Sequence, residues 1–386
     1  MNTKFLTIAA LAAGVACSFT ACDDDDNDPD YTLDENGHVV ISSIDCTSSN
    51  VQTWGGYMGV VANLLVKDAT SLYTDWTESY TSSDVKGQSY ATWFKAQPAK
   101  ESVEAIIEGC KDIANEVGES KIGDPLNKWT DGKLGEAVLA VESWYSWHSR
   151  DDYSNNILSI RNSYYGSLDG KVAAKSLSAL VKASDEALDT KIVNAINDAY
   201  NKILAIPQPF RDNIASDEAK AAQAACGELY NVLEGSKNKI EALEEAALKE
   251  AVDNYVDEVV LPTYKNLKEK NEALYEAAKA FAQNPTDKAF EACANAWLDA
   301  RQPWETSEAF LFGPVADKGL DPNMDSWPLD KDGITNIINS GKYDDLDWTG
   351  DFDEKNEEIA SKQSVRGFHT LEFLIFKDGK ARTIVK

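Results

Sequence analysis

His369 and Glu372 stand three residues apart in the run RGFHTLEFLIF, residues 366–376. In a helix, positions i and i+3 share one face, with Cβ atoms roughly 5–6 Å apart. A neutral imidazole nitrogen and a carboxylate oxygen can then converge on one cation. Glu-x-x-His serves that purpose on the helices of di-iron bundles, and here the order is reversed. Glu305 and Glu308 in PWETSEAFLFGP repeat the spacing with two carboxylates, just ahead of a Gly-Pro break. One His and three carboxylates make a hard, mixed N/O set suited to a metal ion such as iron, with zinc or calcium also compatible, rather than copper(I). Gly367 leaves room for close approach by a helix or a ligand. Arg366 offers a charge for a carboxylate of the site or of a ligand. Scaffolding uses the same residue types: a core His satisfied by a Glu has the H-x-x-E spacing, and a solvated helix face carries paired glutamates.

Long helices have to position these residues. From about Gln52, Tyr57, Val60, Val61, Leu64, Leu65, Leu72 and Trp76 recur at three- and four-residue spacing. Further helical patterns run over 99–117, opened by Pro98, and over 133–147, 171–184, 185–205 and 216–234. A long pattern covers 240–282, with Pro262 expected to kink it. The next, 287–310, contains Pro303. The stretch 313–330 is rich in Gly, Pro and Asp and reads as irregular, with Trp327 and Pro328 anchoring it near the last helix. Asp330 is placed to N-cap a short helix over 331–340, and a final helix is expected over 361–376. No run of alternating β-branched residues stands out, so the fold class is all-α, built of up-down bundles. His148 precedes Asp151 and Asp152, where it reads as a polar cap. It completes a ligand set, with Asp152 near the cleft, if the bundles bring it there.

The 386 residues include 37 Lys and Arg against 65 Asp and Glu, a formal net charge of −28. That field repels nucleic acid and anionic lipid and attracts cations. Lys4 followed by the apolar stretch Phe5–Ala16 is a secretory leader, too short to span a bilayer. Cys22, preceded by Thr20-Ala21 and followed by DDDDNDPD, resembles the lipidated Cys of bacterial lipoproteins, with Cys17 as the other candidate. The acidic run resembles the surface-export signal of Bacteroidetes-type lipoproteins. Residues 1–22 are thus read as signal and 23–45 as an acidic tether. The location expected is the outer membrane, at the cell surface or else facing the periplasm, with the lipid anchor as the membrane attachment. Cys46, Cys110, Cys226 and Cys293 show no C-x-x-C spacing, and Cys110, Cys226 and Cys293, in helical patterns, read first as small buried hydrophobes, then as a disulfide.

RGFHTLEFLIF resembles the G-x-H-x-x-E motif of imelysin-like proteins, the peptidase M75 family. The strings ANAWLDARQPWETSEAFLFGP (294–314), DPNMDSWPLD (321–330), HSRDDYSNNILSIRNSYYG (148–166) and AIPQPF (205–210) extend the resemblance in pieces over 50–386. It implies two packed helical bundles with a cleft near the His/Glu motif. It also implies a link to bacterial iron uptake, with an uptake-system partner protein, and a peptidase label. The order of the pieces differs from the family's: the bundle 46–240 resembles its C-terminal half and 241–386 its N-terminal half, so the chain reads as circularly permuted. Two functions stand at this point. One is a binding protein for iron or an iron-bearing ligand. The other is a metallopeptidase, although no H-E-x-x-H or G-x-S-x-G occurs. Replacement of Cys22 by Ala is expected to move the protein from the membrane fraction to the soluble fraction, read by fractionation and immunoblot; retention with Cys17 intact would transfer the anchor to that residue.

Overall fold

The computed structural model describes residues 31–386, so the leader and Cys22 lie outside the described residues. The first half of the body contains α1 (Val51–Thr77), α2 (Tyr90–Ala96), α3 (Ala99–Asn115), α4 (Asp124–Thr130), α5 (Leu134–Ala140), α6 (Ser149–Tyr165), α7 (Leu177–Ser184), α8 (Glu186–Ala205) and α9 (Asp217–Glu241). The second contains α10 (Glu245–Tyr255), α11 (Leu261–Gln283), α12 (Asp287–Glu305), α13 (Pro314–Asp317), α14 (Leu320–Asp325), α15 (Lys331–Ser340), α16 (Glu357–Gln363) and α17 (Gly367–Ile375). Strands are confined to three two-stranded antiparallel ladders among the described residues. The class is all-α, as the helical periodicity requires.

Local chemistry starts most of the long helices where the sequence does. Side chains of Asp185, Ser216 and Thr286 accept hydrogen bonds from the backbone N–H groups of Leu188, Ala219 and Ala289, closing the first turns of α8, α9 and α12. Asp330 caps α15 in the same way, its Oδ1 2.8 Å from the N–H of Gly333. The buried stripe of α1 includes Trp54, Tyr57, Val61, Leu65, Leu72 and Trp76 at helical spacing.

These stripes assemble two bundles. In one, α1 packs on α11, α11 on α12, and α17 lies against α1 and α12. In the other, α3, α6, α8 and α9 pack in turn. A division at 240/241 therefore does not separate the bundles: α1, from the first half of the chain, belongs with α11, α12 and α17 because its apolar face fits them. The rod from α10 to α11 joins the two, its α10 end lying on α3 and its α11 end on α1. At the junction, ahead of Pro262, the helix widens into a π-turn over Val256–Val260 instead of breaking. A second π-turn, Glu116–Gly123, links α3 to α4.

Several expectations from the sequence change at element ends. The pattern over 133–147 stops as a helix at Ala140, and 141–148 is a loop in which Ser143 and Trp147 take left-handed φ values of 54° and 63°. The Gly/Pro-rich stretch is not irregular throughout: it holds α13 and α14, each entered through a glycine of positive φ. The final helix is two, α16 and α17, parted by extended Arg366. The acidic segment is docked from residue 31 onward. Strands β1 (Thr32–Leu33) and β2 (Val39–Val40) pair, and Arg211 donates to the Val39 carbonyl at 2.7 Å. The four described cysteines are buried and free, so the hydrophobe reading holds and the disulfide does not.

All nine residues of α17 are buried. Two indole N–H groups fix it: Trp54 donates to the Leu374 carbonyl and Trp297 to the Phe368 carbonyl, each at 2.9 Å. Gly367, at φ 89°, explains the entry to α17. A Cβ there would lie 2.5 Å from the Met324 carbonyl oxygen, so the helix it lets in is α14. Gly367→Ala should therefore cost about 3 kcal/mol from left-handed strain and overpacking together, measured by chemical denaturation. A change of a few tenths would mean that α14 moves aside freely.

Candidate metal centre

The approach of α14 to α17 sets Asp325 against His369. Both imidazole nitrogens of His369, which is fully buried, face carboxylates. Nδ1 lies 3.0 Å from Glu372 Oε2, while Nε2 lies 3.1 Å from Asp325 Oδ1 and 3.2 Å from Glu142 Oε1. Glu142 comes from the loop after α5. The Trp327 ring stands edge-on to the imidazole with centroids 4.7 Å apart, and its N–H donates to the Ala140 carbonyl, which ties that loop to the site.

Glu372 does not share a cation face with His369, as the helical spacing implied. One of its oxygens takes Nδ1, and the other accepts hydrogen bonds from the Ser146 N–H and hydroxyl, both at 2.8 Å. It orients the imidazole and sends Nε2 toward Glu142 and Asp325, the usual task of a carboxylate behind a histidine ligand. Donors on one ion with bonds of about 2.1 Å sit about 3 Å apart. The two separations at His369 Nε2 match that, so a single ion fits His369, Glu142 and Asp325. Without an ion, the same distances serve an imidazolium donating to both acids.

Glu305 and Glu308 form a second group with Asp325, oxygen atoms of the three lying within 4.8 Å of one another. Asp325 is common to both groups, and its other oxygen accepts from the Trp304 N–H at 2.6 Å. Asn156 on α6 donates to Glu305 Oε2 at 2.6 Å.

Arg301, on α12 four residues before Glu305, runs through the middle. It pairs with Glu142 at 2.8 Å, Glu305 at 2.6 Å, Asp152 at 3.3 Å and also with Asp325, and its Nη2 is 3.4 Å from His369 Nε2. Lys121, delivered by the π-turn, lies 3.1 Å from Glu142 Oε2. Six buried carboxylates, Glu142, Asp152, Glu305, Glu308, Asp325 and Glu372, thus meet three cationic groups, Arg301, Lys121 and His369. The cluster lies where α6 of one bundle meets α12 of the other. It is a sealed seam between the bundles, not an open cleft.

The imbalance appears in the protonation of the groups. Burial pushes Glu305 and Glu308 well above the ordinary carboxylate range, and neither Arg301 nor Lys121 offsets it. Burial would also raise Glu142, but Lys121 and His369 outweigh it and hold the group at about 2. Burial and Arg301 press His369 down, yet Asp325 and Glu142 carry it well above 6.5.

Other residues singled out from the sequence lie elsewhere. Arg366 is buried against Asp68 and Asp347, joining α17 to α1 and to the loop before α16. His148 turns Nδ1 to the Ser146 carbonyl at 2.9 Å and Nε2 to Asp151 at 4.0 Å, and it belongs to neither carboxylate group. It also makes no side-chain cap on α6. Asp330 is exposed and caps α15. Asp152 does join the cluster, bonded to the Ser143 hydroxyl at 2.5 Å and to Arg301. Glu142, Asp325, Arg301 and Lys121 are additions from the structure. Only the Arg301–Glu305 spacing was a local signal.

Two helical bundles closed on a buried His–carboxylate cluster define the class. The chain belongs to the imelysin family of peptidase M75, whose family model matches residues 23–240 and 260–385. It is 52% identical to an imelysin peptidase from Bacteroides ovatus of known crystal structure, with a TM-score of 0.85 over 89% of this chain and 99% of that one. It is also 32% identical over 127 residues to Iron-regulated protein A of Synechococcus elongatus. That match spans 33% of this chain and 31% of the relative.

Glu305 and Glu308 keep their protons in the folded state well above 4.5, whereas the unfolded chain releases them near 4.5. The folded state binds the extra protons in between, so stability falls as pH rises. His369, also raised, has the same sign. Metal-free protein should melt at a higher temperature at pH 5 than at pH 8, and Glu308→Gln should reduce that difference. An unchanged slope in the variant would remove Glu308 as a source.

Proposed function

We propose that the protein binds a metal ion, iron foremost, or an iron-bearing ligand at the His369 cluster. In this reading it serves iron acquisition as a lipoprotein anchored through Cys22 in the outer membrane at the cell surface, delivering to a partner protein of an uptake system. The observation that carries the binding is the convergence of His369 Nε2, Glu142 Oε1 and Asp325 Oδ1 within a buried excess of carboxylates. The likeness to Iron-regulated protein A supports iron as the ion. One imidazole with two carboxylates suits iron or zinc better than calcium, which takes oxygen ligands.

A bound ion would supply the positive charge that the cluster lacks. The chain's own residues do the remaining work. Glu372 holds the proton on Nδ1, Ser146 holds Glu372, and Trp327 covers the imidazole. Loading requires Nε2 without a proton, so uptake of the ion is coupled to proton release.

The likeness to a protein described as an imelysin peptidase favours a second reading, a metallopeptidase acting on extracellular protein. The described cluster brings together one imidazole, where zinc peptidases of the H-E-x-x-H type use two. A permuted helix order also belongs to the proposal. It is supported by the junction of Val385 with the start of the body, its N–H donating to the Cys46 carbonyl at 2.8 Å beside the Thr47–Val385 bridge.

Anaerobic calorimetry with iron(II) tests the binding. The parent should bind one equivalent, and His369→Ala and Glu142→Ala should each weaken binding at least a hundredfold while remaining folded. Equal binding by parent and both variants would remove the site. Chelator-sensitive cleavage of a broad protein substrate, lost in His369→Ala, would favour the peptidase reading instead.

A further inference from the structure

The oxygen and nitrogen atoms that would converge on an ion are the same atoms that Arg301 now holds. Its Nη2 is 2.8 Å from Glu142 Oε1 and 3.4 Å from His369 Nε2, and its Nη1 pairs with Asp325 Oδ1. An ion within bonding distance of these three donors, about 2.1 Å from each, would contact a guanidinium that already bonds two of them. Two positive groups cannot share that space: both need the same lone pairs, and at such range they repel strongly in a seam closed to water. Arg301 has another place to go. Its remaining partners, Glu305 Oε1 at 2.6 Å and Asp152 Oδ2 at 3.3 Å, lie outside the His369 donor set and can keep the guanidinium paired.

We propose that Arg301 is a resident counter-cation that competes with the metal for Glu142 and Asp325, and that loading of the site moves it onto Glu305 and Asp152. The inference rests on the cation reading above and adds to it the residue that sets affinity and selectivity. A weakly held or singly charged ion does not displace the guanidinium, whereas a di- or trivalent ion does. The arrangement also keeps the empty protein folded, because Arg301 supplies charge to acids that would otherwise stand buried and unpaired.

The roles can be separated with Arg301→Gln, which keeps a hydrogen-bonding amide and removes the charge, and Arg301→Lys, which keeps the charge on a narrower head. Anaerobic iron(II) and zinc(II) titrations by calorimetry should show Arg301→Gln binding at least tenfold tighter than the parent, with Arg301→Lys between them. In the absence of metal, Arg301→Gln should melt below the parent, and saturating zinc(II) should close most of that gap. Parent binding with equal or weaker binding by Arg301→Gln would overturn the competition and leave the site reading standing. No binding by parent or variant would overturn the site reading, and the inference with it. A second measurement follows Arg301 in the parent protein itself. In protein carrying nitrogen-15 arginine, zinc(II) should shift the Arg301 guanidinium resonance, assigned by its absence in Arg301→Lys. Zinc(II) bound with that resonance unmoved would overturn the displacement.

Discussion

Positive charge is scarce in the seam between the two bundles, and much of the structure is arranged around that scarcity. Six carboxylates are drawn into a region from which water is excluded, and Arg301, Lys121 and His369 share the task of balancing them. Each ionised group loses several kcal/mol of hydration on burial. Such a cluster is a poor source of stability compared with packed apolar side chains, and the charge it lacks is the one that the proposed cation would supply. The protonation pattern follows: Lys121 and His369 hold Glu142 ionised, while burial keeps the protons on Glu308 and, despite its contact with Arg301, on Glu305.

The parts that reach this seam come from interruptions of helices more than from their middles. Glu142 sits in the loop where α5 ends early, Lys121 in a π-turn, Glu308 in the 3₁₀ turn after α12, and Asp325 at the end of the six-residue α14 that Gly367 admits. A regular helix offers one face to one neighbour. A break turns a side chain across the interface, and here several breaks point at one volume. Left-handed Ser143, next to Glu142 and bonded to Asp152, is a local cost of that kind, of the order of 1 kcal/mol or more.

Rigidity comes from aromatic anchors around the cluster. Trp54, Trp297 and Trp304 are fully buried, yet each indole N–H finds an acceptor: two are carbonyls of α17 and the third is Asp325 itself. The rings supply apolar contact, and the N–H groups set the position of the polar residues. Glu372 gains its role from the same kind of support, since Ser146 saturates one of its oxygens and leaves the other to His369.

The helical class, the cap at Asp330 and the family were all legible in the chain, because periodicity, capping chemistry and motif strings are local. His369, Glu305 and Glu308 could be picked out for the same reason, and Glu372 could be picked out but not given its role. Spacing alone places two side chains on one helix face; it does not say whether the second binds the ion or holds the first. Glu142 and Asp325 were hidden among many acids in a chain with 65 Asp and Glu. What distinguishes them is a distance across elements more than 40 residues from His369 in sequence, set by how α14 meets α17 and where α5 stops. Arg366 shows the converse: adjacent to the motif in sequence, it is turned by one extended residue onto Asp68 and Asp347. The sequence determined which groups the protein carries and which faces its helices bury. Tertiary structure alone decided which charges share the seam, because burial and opposite charge act through space and not along the chain.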